Sequence, residues 1–223
     1  MYQSRGYLAN VSLPAQKIDE GIIKIKIVEG RLGAVKVESQ EDNLRFSKEE
    51  VQAYVLEKNP VGEILRMKRI ERAIYILNET PGVAVGTEIE PGENDGDVDL
   101  KVTLANTALF KGQVELNNQS SRATGNLQTL VRLFLDNPSG RGDQISLNGT
   151  QSQGSSYVRW EYSTPVNRDG LKLGGFVSNL AYHNIGDFSY PNSPNGGYGS
   201  AKTAGLNLKA ASEFDVSVKE LVR

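Results

Sequence analysis

The chain reads as an α+β unit followed by a run of antiparallel β-structure, and three observations support that division. From residue 34 to residue 104 the strand and helix signals come in the order β-α-α-β-β. After residue 110 the hydrophobic period is two. Near residues 104–110 the composition shifts to Gly, Ser, Asn and Thr between short alternating strands, which sets the boundary there.

Two strands come first, over residues 7–13 and 22–28, joined by Pro14-Ala15-Gln16-Lys17-Ile18-Asp19-Glu20-Gly21. In the second, Ile23, Ile25 and Ile27 alternate with Lys24 and Lys26, and Glu29-Gly30-Arg31 breaks the pattern. A short strand at 34–38 leads to Ser47-Lys48-Glu49-Glu50. A serine hydroxyl followed three residues later by a glutamate can satisfy the first free helix N–H groups. That capping box opens a helix running through Leu56. A second helix follows Gly62, with Met67, Ile70, Ile74 and Leu77 on one face and Lys68, Arg69, Glu71 and Arg72 on a wet face. It stops at Thr80-Pro81-Gly82. Strands at 83–89 and 98–104 complete the unit; Val98, Leu100, Val102 and Leu104 point inward, and Asp97, Asp99, Lys101 and Thr103 face water.

Beyond residue 110, Val114 and Leu116 alternate with Gln113, Glu115 and Asn117. Ile145 and Leu147 alternate with Gln144, Ser146 and Asn148, and Val158, Trp160 and Tyr162 with Tyr157, Arg159, Glu161 and Ser163. Leu206 and Leu208 alternate with Asn207 and Lys209. With segments 127–135 and 171–182, the latter slipping phase at Gly174-Gly175 as a bulge would, six strands are expected. Residues 136–143 and Asn167-Arg168-Asp169-Gly170 are turn-like, whereas 182–202 reads as a long loop. Periodicity alone leaves two architectures open. One is a tilted membrane-barrel wall, with short turns on one side and long loops on the other; the other is a soluble β-sandwich with one polar face.

Composition narrows the function classes. The 25 basic and 27 acidic residues are interspersed, for a net charge of −2, so no basic stripe exists to neutralise nucleic-acid phosphates. Cysteine is absent, which removes thiol chemistry and Cys-ligated zinc and suits passage through an oxidising compartment. No run approaches the roughly 20 apolar residues of a membrane-spanning helix. His183 is the sole histidine and lies in a Gly- and Asn-rich stretch, a poor place for a catalytic triad. The acidic run Glu93-Asn94-Asp95-Gly96-Asp97-Val98-Asp99 misplaces the Gly and the final Glu of an EF-hand, and Gly199-Ser200-Ala201-Lys202-Thr203 lacks the glycine before lysine of a phosphate loop. Catalytic residues, metal ligands, cofactors and small-molecule substrates are therefore not expected.

Several spaced motifs carry a family resemblance. Gly6-Tyr7, Leu13-Pro14-Ala15-Gln16, Gly21 and Glu29-Gly30-Arg31 resemble the end of the first POTRA (polypeptide-transport-associated) domain of two-partner-secretion transporters of the haemolysin and filamentous-haemagglutinin type. Glu71-Arg72-Ala73, Leu77-Asn78 and Pro81-Gly82-Val83 resemble the second POTRA domain. Thr124-Gly125, Asp136-Asn137-Pro138, Gly142-Asp143, Tyr162-Ser163-Thr164-Pro165 and Asp169-Gly170 resemble the first strands and turns of the barrel. The resemblance implies three parts: residues 1–32 from a first POTRA domain, 33–105 as the second, and 106–223 as about six strands of an outer-membrane β-barrel.

By the same resemblance, the protein sits in the outer membrane of a Gram-negative bacterium with its POTRA domains in the periplasm. There it recognises an unfolded secreted exoprotein and passes it through the lipid-embedded barrel. A barrel-assembly insertase and a soluble periplasmic β-rich binding protein are the alternatives. Recognition is expected by strand addition at residues 83–89, through Val83, Val85, Thr87 and Ile89, with Ile70, Ala73, Ile74 and Leu77 of the second helix as a groove floor or else simply as the domain core, and Arg69, Arg72 and Thr87 at the rim. The lack of an apolar signal segment near Met1, and a strand count below the roughly eight of the smallest closed barrels, lead to the expectation that the chain is a piece of a longer protein.

Overall fold

The computed structural model describes residues 9–14, 23–94, 96–189 and 197–211. They form two compact units: one comprises residues up to Glu79, Val83–Ala105 and Ala211, the other Thr80–Gly82 and Asn106–Ala210. Gly6, Tyr7, Gln16 and Gly21 of the first motif lie outside the described residues, as does everything after residue 211.

The first unit opens with β1 (Ala9–Ser12) paired antiparallel to β2 (Lys26–Glu29). Pro14 follows β1 and is exposed. Strand β2 starts later than the alternation suggests, at Lys26, and Ile23, Ile25 and Ile27 remain about half exposed. Glu29-Gly30-Arg31 forms a seam to the next sheet. Gly30 is buried and its carbonyl accepts the Leu65 N–H at 2.8 Å, while the Arg31 N–H donates to the Gly96 carbonyl at 3.0 Å.

A three-stranded sheet follows, in the order β3 (Arg31–Glu38), β5 (Asp97–Asn106), β4 (Val83–Pro91). Strands β3 and β5 are parallel, which requires a crossover; α1 (Lys48–Lys58) and α2 (Met67–Asn78) lie within it. Ser47 caps α1 as its motif predicts, its Oγ accepting the Glu50 N–H at 3.1 Å. The helix runs two residues past the expected end, to Lys58, because the buried Asn59 terminates it. The Asn59 N–H donates to Val55, and its Oδ1 accepts the Arg66 N–H at 3.0 Å, tying the end of α1 to the start of α2. Helix α2 buries Ile70, Ala73, Ile76 and Leu77, with Met67 and Ile74 at the margin. These side chains join Leu32, Val51, Val55, Leu65, Leu100, Val102 and Leu104 in one core.

Asp99 departs from its expected place in water: it is 4% exposed. The cause lies on β3, where the register shifts between Leu32 and Val35. A Cβ on Gly33 would stand 2.6 Å from Asp99 Oδ1, so only glycine leaves room for the carboxylate, and Lys36 Nζ meets its other oxygen at 2.7 Å.

The second unit is a single sheet whose strands follow chain order: β6 (Phe110–Asn117), β7 (Gln128–Asp136), β8 (Gln144–Ser152), β9 (Ser155–Pro165), β10 (Lys172–His183) and β11 (Tyr198–Lys209). The six expected strands are present. They form a continuous meander rather than the two face-packed sheets of a sandwich. The expected bulge at Gly174-Gly175 is not there. Pairing of β10 to both neighbours runs unshifted through it, and Gly174 instead vacates space for the Asn207 side chain. The long loop is also shorter than expected, spanning 184–197, because the β10–β11 ladder continues to His183 opposite Tyr198. One end of the sheet carries the connections 118–127 and 184–197 but also the tight Gln153-Gly154 turn.

Candidate functional site

Among the described residues, the outer edge of the three-stranded sheet and the two faces of the meander can meet other molecules.

Among the described residues β4 is an edge strand, with β5 on one side only. Two bonds bracket the β4–β5 pair in one register: the Gly92 N–H donates to the Asp97 carbonyl at 2.9 Å, and the Thr107 N–H to the Gly82 carbonyl at 3.1 Å. Main-chain groups alternate sides along an antiparallel strand, so Gly82, Ala84, Gly86, Glu88, Glu90 and Gly92 face β5. Val83, Val85, Thr87, Ile89 and Pro91 face outward.

The predicted contact residues then divide. Ala73 is fully buried and Val83 is 3% exposed, so both are core and neither offers a side chain to a partner; the helical and strand periods that suggested a groove floor describe the interior instead. Val85 is half-buried, whereas Thr87 and Ile89 are exposed. Arg69 is held toward the α1–α2 connection, its guanidinium 3.4 Å from the Lys58 carbonyl and 3.7 Å from Glu63. Arg72 lies over the Tyr75 ring at 5.8 Å and donates to the Ala211 carbonyl at 3.4 Å. The structure thus brings Val85, Thr87 and Ile89 together, with the recorded partners of Arg69 and Arg72 elsewhere.

One participant was absent from the expectation. Asn78, the last residue of α2, donates from Nδ2 to the Val85 carbonyl at 3.1 Å and accepts the Val85 N–H on Oδ1 at 2.9 Å. The turn Thr80-Pro81-Gly82, with Gly82 at φ +80°, returns the chain so that a helix end meets a strand seven residues on. A Leu-Asn pair just ahead of Pro-Gly was the available signal.

Two adjacent rows of the meander differ in polarity across every strand. Gly112, Leu133, Leu147, Trp160, Val177 and Ala204 lie opposite one another across all six strands, each apolar or glycine. The next row, on the opposite face, is Gln113, Arg132, Asn148, Arg159, Ser178 and Thr203, polar in every strand. On the apolar face Val114, Leu116, Trp160, Val177, Leu206 and Leu208 are each more than half exposed. On the polar face Arg159 pairs with Glu161 at 2.9 Å and lies 3.6 Å above the Phe176 ring. Glu161 also accepts from Asn207 at 3.0 Å and Lys209 at 3.1 Å, reaching over β10 where Gly174 has no side chain.

Turns of this sheet are built from the predicted motif residues. Asp136 and Asn137 are buried; Asp136 pairs with Lys111 at 2.7 Å and accepts from Gln144 at 2.7 Å. Asn137 takes φ +56°, which asparagine tolerates better than most residues, and its Oδ1 accepts the Gly142 N–H at 2.7 Å. His183 is exposed at the end of β10. Among the described residues no group of three or more His, Cys, Asp or Glu could hold a metal.

An α+β module of β-α-α-β-β order continuing into a meander with an apolar row on one face and a polar row on the other defines the POTRA–barrel class of outer-membrane protein. Within that class, residues 96–208 match the haemolysin secretion/activation protein ShlB/FhaC/HecB family, and the chain belongs to it. It is 28% identical over 193 residues to the outer membrane transporter CdiB of Dickeya dadantii, covering 86% of this chain and 32% of that protein. To the heme/hemopexin transporter protein HuxB of Haemophilus influenzae strain 86-028NP it is 24% identical over 190 residues, covering 84% and 33%. The chain thus spans about a third of the length of these relatives. The solved structure of CdiB from Escherichia coli shares the fold with a TM-score of 0.62 at 23% identity, over 93% of this chain and 38% of that one. BamA from Haemophilus ducreyi lacking POTRA domains 1–3 does so with a TM-score of 0.55 at 21% identity, over 91% and 37%.

Proposed function

We propose that this chain works in two-partner secretion, as part of an outer-membrane transporter that takes an unfolded exoprotein from the periplasm to the cell surface of a Gram-negative bacterium. In this reading residues 1–32 end a first POTRA domain, 33–105 are the second, and 106–223 begin the barrel wall. The observation that carries it is the pair of adjacent rows across the meander, one apolar in every strand and one polar in every strand. Such a sheet is suited to lipid on one side and a wet passage on the other. Family membership supports the same reading.

Capture would occur at the edge of β4. An extended segment pairing with the outward groups of Thr87 and Ile89 gains about four main-chain hydrogen bonds, each with a net worth of about 1 kcal/mol. That favours a brief hold over a stable complex, as a transporter that must release its cargo requires.

The test is Thr87→Pro. The outward N–H of Thr87 takes no part in the β4–β5 ladder, so proline there removes a donor for an added strand and spares the sheet. Cross-linking of a co-expressed exoprotein to the variant should fall at least severalfold with the fold retained. Undiminished capture by a folded variant would overturn the strand-addition route.

A further inference from the structure

The outward row of β4 is already partly filled. At Val85 the Asn78 carboxamide both donates and accepts, at 3.1 and 2.9 Å, which is the hydrogen-bonding pattern a neighbouring strand's peptide groups would supply. Six residues further along the strand, Pro91 has no N–H to give. Between these stops lie Ile89 and Thr87, both exposed.

The opposite edge is filled in the same manner. Gln52 of α1 donates from Nε2 to the Val35 carbonyl of β3 at 3.2 Å. Ahead of it the α1–α2 connection lies along the strand: the Leu32 N–H donates to the Glu63 carbonyl at 3.0 Å, and the Gly62 N–H to the Leu32 carbonyl at 2.7 Å.

We propose that Asn78 is a stand-in strand, a positioning residue that restricts polypeptide capture to Thr87 and Ile89 and so sets the length and register of the captured segment. The proposal rests on strand addition at β4, as argued above. The occupant is an extended, unfolded polypeptide segment, because the edge offers alternating main-chain donors and acceptors and the group already bound to it is itself an amide. Withdrawing the Asn78 side chain lengthens the slot by Val85, adding one donor and one acceptor in register with the other two.

The experiment uses the full chain in detergent micelles and, as probe, a fluorescein-labelled decapeptide of alternating valine and threonine. Amide hydrogen exchange is read at residue level. In the unsubstituted chain the Val85 amide should exchange slowly without peptide, and peptide should slow Thr87 and Ile89. In Asn78→Ala, Val85 should exchange fast alone and slowly with peptide, and affinity should rise about tenfold, the order expected of one or two added hydrogen bonds. Asn78→Asp keeps the acceptor and loses the donor, and should fall between; it replaces Asn78→Ala if the core amides of Val55 and Val102 lose protection. Slowed Thr87 and Ile89 with unchanged affinity on Asn78 substitution would overturn the stand-in role and leave strand addition standing. Peptide that slows no β4 amide in any variant would overturn both.

Discussion

The ring of Phe176 lies across Gly205 of the next strand, in the space a side chain there would need. A Cβ on Gly205 would meet the ring at 2.7 Å, and the two residues are direct partners in the β10–β11 ladder. Tyr182 covers Gly199 in the same way, and the guanidinium of Arg159 lies over the Phe176 ring, 3.6 Å from its centroid. Gly205→Val should expel the ring and break that stack, costing about 1–3 kcal/mol as overpacking does. The urea midpoint of the lipid-reconstituted protein measures it, and an unshifted midpoint would contradict the packing described.

Asp136 is the second sensitive point. Its carboxylate is buried and joins Lys111 of β6 to Gln144 of β8, so one side chain spans three strands at a turn. Asp136→Ala should cost about 1–3 kcal/mol, since Gln144 loses its acceptor and the half-exposed Lys111 can turn to water. The loss should show as a lower temperature for heat-modified gel mobility. Asp136→Asn, which keeps one acceptor, should retain more of the stability.

Alkaline pH should weaken the α+β unit. The Asp99 carboxylate, by hydrogen bond and charge, raises Lys36 above its ordinary 10.5, and Glu38 does the same for Lys101. A lysine whose pKa is higher folded than unfolded stabilises fully below the unfolded value, and loses that contribution as pH rises through the folded one. Thermal stability should therefore be insensitive to these pairs up to about pH 10 and decline above it. Lys36→Met should remove part of the decline. A stability that rises with pH above 10 would contradict the pairing.

Limited proteolysis should release a resistant fragment close to residues 31–105, because that stretch holds a closed core of its own. The remainder should need detergent to stay in solution, given the exposed Val114, Trp160, Leu206 and Leu208. Recovery of the entire chain without detergent as a cooperatively melting monomer would refute this.

Features written locally were legible in the sequence. The Ser47 cap needs only its own helix, and the six strands announce themselves by a period of two. What depended on distant partners was not. Asp99 alternates with apolar neighbours like any solvated residue, and only a register shift at Gly33 and a lysine on another strand explain its burial. Gly174-Gly175 carried the same letters a bulge would, while the reason for Gly174 was Asn207 on β11. For the candidate site, the edge position of β4 followed from element order. Which main-chain groups point outward required the β4–β5 register, and the role of Asn78 required knowing how tightly Thr80-Pro81-Gly82 folds the chain back.

The carboxamides of Gln52 and Asn78 also bear on what this module does beside copies of itself. An open strand edge is the usual seed of edge-to-edge fibres, and an anchored protein meets its neighbours at high local concentration. With one edge obstructed along its start and middle and the other, among the described residues, open at Thr87 and Ile89, two modules have too little matching backbone to zip together. Sheet proteins commonly deter such self-association with surface charge. Here neutral amides serve, which leaves the deterrent indifferent to salt.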